Sequence, residues 1–143
     1  MSDEISQKQD IGLGGKIFTD KKIWLGSWLG GPLIAGYIIY KNYKIFGENE
    51  KANIVIIITI FFSIFLAFGI FMIPDNINIP SQLIPIIYTS IAWGLMKHFQ
   101  GNKIEEHINN GGQLVGWGKT ILISILGLVI FIIPLFIVGM VIL

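Results

Sequence analysis

Residues 23–47, IWLGSWLGGPLIAGYIIYKNYKIFG, decide how the rest of the chain is arranged. Their apolar part, residues 23–40, can enter a membrane, because a straight helix of this length reaches about 27 Å, just short of a hydrocarbon core of about 30 Å. Gly30 and Gly31 precede Pro32, which has no N–H to donate and clashes with the preceding turn of a regular helix. The sequence therefore predicts a kink or a break here more strongly than anywhere else in the chain.

The composition of the whole chain indicates a membrane protein. Of the 143 residues, 53% are hydrophobic and 13% are charged, and the mean hydropathy is +0.72. A soluble domain carries roughly 25% charged residues, so this chain has too little polar surface to cover a globule. The apolar residues also occur in runs, which is typical of membrane spans.

Four apolar segments separated by polar connectors are predicted to be helical. Residues 53–73 form the clearest span, because they contain no charged residue and match the length of about 20 residues that a crossing needs. Residues 82–96 form the weakest span, because the run is short and Pro85 lies one turn into it. We expect neighbouring helices to cover its polar face. The predicted organisation is a polar leader, residues 1–22, and a single helical membrane domain, residues 23–143, with segments 23–40, 53–73, 82–96 and 120–143.

The connectors carry signals that end helices. Gly47 is predicted to end the helix before it. Residues 74–81 form a short turn bounded by prolines, which predicts that the helices on either side form an antiparallel hairpin. In the polar stretch 97–119 we expect Gly101-Asn102 to interrupt the helix and Gly111-Gly112 to end a short surface helix.

The distribution of lysines leaves two placements of the first segment open. If all four segments cross, the leader and the 74–81 turn hold four lysines on one side, against six in residues 41–52 and 97–119 on the other. If the first segment enters the membrane and returns, all ten lysines lie on one side, which would be cytoplasmic. A re-entrant turn, however, leaves backbone groups to be covered by protein or water. The predicted fold class is therefore all-α, a polytopic membrane protein with three to four transmembrane helices and a first segment that is kinked or re-entrant at Gly-Gly-Pro.

Small residues and aromatic residues in these segments suggest two kinds of contact. Glycines four residues apart place bare backbone on one helix face, which favours close helix packing. The predicted helix-contact and kink residues are Gly26, Gly30, Gly31, Pro32 and Gly36. Aromatic and lysine side chains near the ends of spans are typical of the lipid–water interface. The predicted interface residues are Trp24, Trp28, Tyr40, Lys41, Tyr43, Lys44, Trp93 and Trp117.

Residues that could carry chemistry are scarce. There is no cysteine or arginine, and no segment contains an acidic, basic or histidine residue, which argues against a proton-coupled transporter or an intramembrane protease. His98 and His107, with Glu105 and Glu106, form the strongest metal candidate, but their spacing matches no zinc motif and a solvated loop is the better interpretation. We therefore expect no cofactor, no metal and no enzymatic activity. Without a basic cluster, no nucleic-acid partner is expected either.

Two stretches resemble a group of small bacterial integral-membrane proteins. Residues 28–37, WLGGPLIAGY, are followed by Lys41-Asn42-Tyr43-Lys44 and Gly47, which is similar to a GGPLxAGY…KNYK…G signature of that group. Residues 100–112, with Gln100, His107 and Gly111-Gly112, resemble a second and looser mark. The resemblance implies a bacterial membrane location and several helices, and it implies no particular activity.

The function predicted from the sequence is structural. We expect a multi-pass protein of the bacterial inner membrane that contacts lipid and acts through helix–helix contacts, as an accessory or assembly subunit or as a homo-oligomer. The alternative is a small channel or carrier in which the broken first helix provides an ion or solute site, with Thr89 and Ser90 lining the path. A metal-dependent membrane enzyme that uses the two histidines is the third and weakest hypothesis.

Overall fold

The described part of the chain is helical. The computed structural model describes residues 15–143 and has no β-strand there, although an isolated backbone bridge joins Ile17 to Leu114. The all-α class is therefore confirmed for these residues. Most of the predicted polar leader, residues 1–14, lies outside the described residues. The helices are α1 (Asp20–Gly30), α2 (Pro32–Ile45), α3 (Asn49–Phe71), α4 (Leu83–Asn109) and α5 (Trp117–Ile142).

The first apolar segment consists of two helices that lie side by side. Phe18, just before α1, and Asn42, near the end of α2, are joined by two hydrogen bonds of 2.8 Å. Twenty-four residues of straight helix would separate them by about 36 Å. An ideal Cβ on Gly26 would also lie 2.8 Å from the end of the Ile38 side chain. The chain therefore reverses direction at Gly31, and we call α1 and α2 together the central hairpin.

The reversal depends on the local properties of three residues. Gly31 has φ 85° and ψ −178°, a backbone conformation that is essentially restricted to glycine. Its N–H donates to the carbonyl of Ser27 at 2.9 Å, which closes the last turn of α1. Pro32 then takes the first position of α2, where the N–H that it lacks would have no partner within the helix.

Glycines also end α2 and α4. Gly47 has φ 78°, and the N–H of Glu48 behind it donates to the carbonyl of Tyr43 at 2.9 Å. Gly111 has φ 75° and the corresponding backbone bond follows it. Both predicted helix ends are confirmed, and both have the hydrogen bonds of a glycine-closed helix terminus.

α4 is continuous, so the predicted interruption at Gly101-Asn102 is wrong. A glycine inside a helix costs only about 1 kcal/mol relative to alanine. Along α4, buried residues recur every three or four positions on both sides of Gly101, and packing of this face against the central hairpin outweighs that cost. The buried residues are Thr89, Ala92, Met96, Gln100, Ile104 and His107.

The three longer helices pack around the central hairpin. α3 packs on α2, α5 packs mainly on α1, and α4 contacts both arms. α3 and α4 run in opposite directions on either side of the 72–82 connection, yet each contacts the hairpin far more than it contacts the other. Grooves therefore separate the outer helices.

Burial in these helices is the reverse of that in a soluble protein. The buried positions of α3 are Ala52, Thr59 and Ser63, and those of α5 are Thr120, Ser124 and Gly127, whereas most of their large apolar side chains are exposed. α3 and α5 are long and apolar enough to cross a membrane, and only 11% of the most apolar window of each is buried. A core helix of a soluble protein would be mostly buried. Small residues inside and large apolar residues outside are what helices packed in lipid require.

Candidate functional site

The glycines predicted to form a contact surface pack against helices of the same chain. An ideal Cβ on Gly30 would lie 2.8 Å from the carbonyl oxygen of Ser124 and 2.9 Å from its Cα, so α1 approaches the backbone of α5 directly. Gly36 lies so close to Thr59 that a Cβ there would overlap the threonine side chain. With Gly26 packed on α2, this glycine surface is already covered within one molecule.

The tip of the central hairpin is buried as well. Gly31 and Pro32 are both inaccessible, and an ideal Cβ on Gly31 would lie 3.8 Å from the ring of Phe131 on α5. Phe131 stands near the middle of α5. The broken backbone is therefore covered by protein at a level halfway along the longest apolar helix.

A buried polar cluster closes the opposite end of the hairpin. The Asn42 Oδ1 atom accepts a hydrogen bond from the Phe18 N–H, and its Nδ2 donates to the Phe18 carbonyl and, at 3.2 Å, to Gln100 Oε1. Gln100 Nε2 donates to the Ile39 carbonyl at 3.0 Å. Asn42 and Gln100 have no exposed surface. Two side chains thus hold α1, α2 and α4 together, and we call this group the amide bridge.

The lysines of the described residues gather at the amide-bridge end. Lys97 pairs with Asp20 at 3.5 Å, and both Lys51, at 2.8 Å, and Lys103 pair with Glu48. Because these contacts join the starts of α1 and α3 to the later half of α4, all of these segments meet at one level. We call this the lysine-rich end.

Aromatic rings lie beside many of these lysines. Cation–π contacts of 5.1–5.9 Å hold five ammonium groups over rings, an arrangement in which the alkyl stem covers apolar surface while the charge stays at its edge. Burial lowers the pKa of Lys22, which also shows that its ammonium is partly withdrawn from water. The pairs are Lys22 with Trp117, Lys44 with Tyr40, Lys51 with Tyr43, Lys97 with Trp93 and Lys103 with Phe46.

The largest groove described lies between α3 and α4, with α2 as its floor. Its volume is about 520 Å³. Small residues, Ala35 and Gly36 on α2 and Ala92 on α4, create the space, and the walls are mostly isoleucine, leucine and phenylalanine. Tyr43 and Lys51 mark its end nearest the lysines. We call it the lateral groove.

A second groove, of about 320 Å³, lies between α3 and α5. Ser63 and Ala67, four residues apart on α3, and Pro134 on α5 leave this depression between larger apolar side chains. We call it the α3–α5 groove. It is more apolar than the lateral groove at its ends, since no lysine or tyrosine lines it.

Most of the predicted interface residues lie at the surface, with one clear exception. Trp24, Trp28, Trp93 and Trp117 are 39–49% exposed, as an interfacial position would require. Tyr43 is buried in the core, with 5% exposure, and lines the lateral groove. Its expected position facing the lipid headgroups is therefore corrected, because the groove floor encloses the ring.

The histidines do not come together. His98 is exposed and packs edge-on to Phe99, whereas His107 is buried and its Nε2 lies 2.9 Å from the Gln113 carbonyl. Nine helical residues place them on opposite sides of α4. Among residues 15–143, no group of three or more metal-ligating side chains is close enough to hold an ion. His107 instead fixes the loop between α4 and α5.

Comparison with known proteins identifies no relative: no protein-family model matches the chain, and neither a curated protein nor a solved structure is significantly similar to it. The resemblance to small bacterial membrane proteins therefore stays a prediction.

Proposed function

We propose that this chain is a multi-pass protein of the bacterial inner membrane that acts through helix–helix contacts, as an accessory or assembly subunit or as a homo-oligomer. The observation that carries the proposal is the burial pattern of α3 and α5, whose small residues face the chain's own hairpin while large apolar side chains face outward. In water this surface would aggregate, whereas in lipid it is the surface a helical membrane protein presents.

In this proposal the central hairpin is re-entrant and α3, α4 and α5 cross. α1 contains 11 residues and reaches about 16 Å from the lysine-rich end, which is half the thickness of the hydrocarbon core. The tip at Gly31 would then lie near the midplane, against Phe131. α4 is shorter in apolar length than the others, but it has to cross, because it returns the chain from the far end of α3 to Glu48 and the start of α5.

The lysine-rich end would face the cytoplasm. The nine lysines among the described residues belong to that end, and the 72–82 connection at the other end contains Asp75 as its one charged residue. Positive residues are retained on the cytoplasmic side during insertion. The C-terminus at Leu143 would accordingly lie outside the cytoplasm.

The α3–α5 groove is the surface best suited to a partner helix. Ser63 and Ala67 provide the small-xxx-small spacing that allows two helices to approach closely, and unlike Gly26 and Gly30 they line an open depression. Bulky neighbours on both sides would enclose a ridge of a partner helix. Association by this surface needs no charged or catalytic group.

The proposal is tested by filling the groove. Ala67→Leu should reduce association measured by light scattering after gel filtration in mild detergent, and by cross-linking in native membranes. Gly94→Leu is the matched control, because Gly94 is also helical and has open space around it. A chain that is monomeric in both measurements, or equal association of the two variants, would refute the proposed role.

The alternative, a small channel or carrier, rests on one observation. The break at Gly31 places two helix ends where the proposed membrane midplane lies, and such ends can bind ions or anionic solutes. Ion flux into liposomes containing the protein, compared with flux for Pro32→Ala, tests this function. The apolar ring of Phe131 beside Gly31 gives it less support than the assembly role.

A further inference from the structure

We propose that the lateral groove binds one acyl chain of an anionic phospholipid from the leaflet at the lysine-rich end. The inference rests on the membrane placement proposed above. It concerns a ligand site that is separate from the α3–α5 groove and from any association of helices.

The first observation is the extent of the groove along each helix. On α2 the lining runs from Pro32 to Tyr43, on α3 from Lys51 to Phe62, and on α4 from Tyr88 to Phe99. Each of these stretches covers 11 residue steps, or about 16 Å of helix, which is the depth of a single leaflet.

This depth decides between a lipid chain and a helix. A partner helix that crosses the membrane needs a contact surface through both leaflets. The lateral groove stops at Pro32, the first residue after the hairpin tip, so it accommodates a chain that ends at the midplane. An acyl chain of one leaflet has that geometry.

The second observation is the polarity of the groove. Its deep part is enclosed by isoleucine, alanine, leucine and phenylalanine side chains, and Ala35, Gly36 and Ala92 make room for an unbranched chain. At its mouth the side chain of Lys51 is 64% exposed, and the ring of Tyr43 lies 5.9 Å below its ammonium. The site is therefore apolar along its length and polar at one end, as a phospholipid is.

The third observation is the charge at the mouth. Lys51 and Lys103 share a single carboxylate, that of Glu48, so the three side chains together carry one positive charge. The lysines remain 64% and 42% exposed. A phosphate group with a net negative charge would balance this excess, whereas a zwitterionic headgroup would not.

Native mass spectrometry of the detergent-purified protein tests the proposal with mixtures of phosphatidylglycerol and phosphatidylcholine. We expect one retained phosphatidylglycerol per chain in preference to phosphatidylcholine. Lys51→Gln should lower this preference about fivefold, while the control Lys119→Gln, at the start of α5, should leave it unchanged. Equal retention of the two lipids by the native protein would overturn the proposal.

Filling the groove provides an independent test. Ala92→Phe should abolish retention of either lipid, and the control Gly94→Phe, two residues away with open space around it, should not. Retention by Ala92→Phe at the native level would overturn the proposal. If this variant does not elute as a single species, the native protein decides: phosphatidylglycerol with a photoreactive acyl chain should label α3 and α4 along the groove, and equal labelling of α5 would contradict the inference.

These outcomes separate the groove from the proposed membrane placement. A protein that needs detergent but retains no lipid would overturn the lipid site alone. A protein that is monodisperse without detergent would overturn both.

Discussion

The contact between Gly36 and Thr59 gives the sharpest test of how the central hairpin is held. α2 packs on α3 more extensively than any other two described helices pack on each other. An ideal Cβ on Gly36 would lie closer than 3.0 Å to all three side-chain heavy atoms of Thr59. Rotating the threonine does not remove the overlap, because one of those atoms is its own Cβ. Gly36→Ala therefore forces α2 and α3 apart.

The expected cost follows from this geometry. Overpacking a well-packed contact typically costs 1–3 kcal/mol, and a gap of 0.5–1 Å elsewhere along the pair loses a quarter to a half of each dispersion contact it opens. The intrinsic preference of alanine for a helix returns about 1 kcal/mol. We expect Gly36→Ala to destabilise the protein by about 1–3 kcal/mol.

A compensating substitution distinguishes this steric mechanism from others. Thr59→Gly removes all three atoms that a Cβ at position 36 would meet, so Gly36→Ala combined with Thr59→Gly should recover most of the lost stability. Unfolding by increasing fractions of SDS in mixed micelles, followed by tryptophan fluorescence, measures each variant, with Gly94→Ala as the control for a helical glycine in open space. Equal stabilities of Gly36→Ala and Gly94→Ala, or additive effects in the double variant, would refute the reasoning.

Three further substitutions test the hairpin tip, the amide bridge and the continuity of α4. Gly31→Ala should destabilise the protein by about 1–3 kcal/mol through its φ of 85° and not through a clash, whereas Gly69→Ala, in open space within α3, should be neutral or stabilising in the same SDS titration. Asn42→Asp keeps the acceptor for the Phe18 N–H but turns a carboxylate oxygen toward the Phe18 carbonyl, so the carboxyl pKa should rise above its unfolded value of about 3.9. Its stability should accordingly be highest when the acid is protonated and fall as pH rises through the raised pKa, and a melting temperature independent of pH would contradict the bridge. Gly101→Ala should stabilise α4 by about 0.5–1 kcal/mol, measured by thermal denaturation, and no gain would indicate that the helix is not continuous there.

The sequence was sufficient for the helical class and for the two helices that can cross a membrane. Residues 53–73 and 120–143 are long apolar runs, and their helices, α3 and α5, follow from composition alone. Gly47 and Gly111-Gly112 were also readable, because a glycine after a helical run is a local signal that packing seldom overrides. The break at Gly30-Gly31-Pro32 was located, while its direction depended on contacts that are distant in sequence.

The amide bridge could not be predicted, since Asn42 and Gln100 are 58 residues apart and each looks like a solvated connector residue on its own. A signal was nevertheless present: both stand in the two stretches that carry the resemblance to small bacterial membrane proteins. The continuity of α4 was missed for a related reason. The spacing from Thr89 to His107 is a single helical stripe, but it is visible only when the apolar segment and the polar connector are considered as one helix.

Small and hydroxylic residues in the apolar runs were the other signal that went unused. Thr120, Ser124 and Gly127 are four and three residues apart, and α1 packs on them through Gly30. Ser124 donates its hydroxyl to the Thr120 carbonyl at 2.7 Å, so its polarity is satisfied within α5 and only its small size is presented to the neighbour. In a helix otherwise made of isoleucine, leucine and phenylalanine, such a stripe identifies the inward face.

A helical hairpin that ends inside a membrane is tolerated only if its backbone polar groups are covered, and the tip of this one meets that requirement through its sequence. The Gly31 N–H donates to Ser27, and the Gly31 carbonyl accepts from Ile34 at 3.2 Å and from Ala35 at 3.4 Å. Pro32 removes a donor where a helix start would otherwise leave one unpaired. The absence of side chains at Gly30 and Gly31 lets α5 close over the tip. The same three residues that break the first segment therefore reduce the cost of the break, and this is why a Gly-Gly-Pro sequence in an apolar run favours a buried reversal over a simple kink.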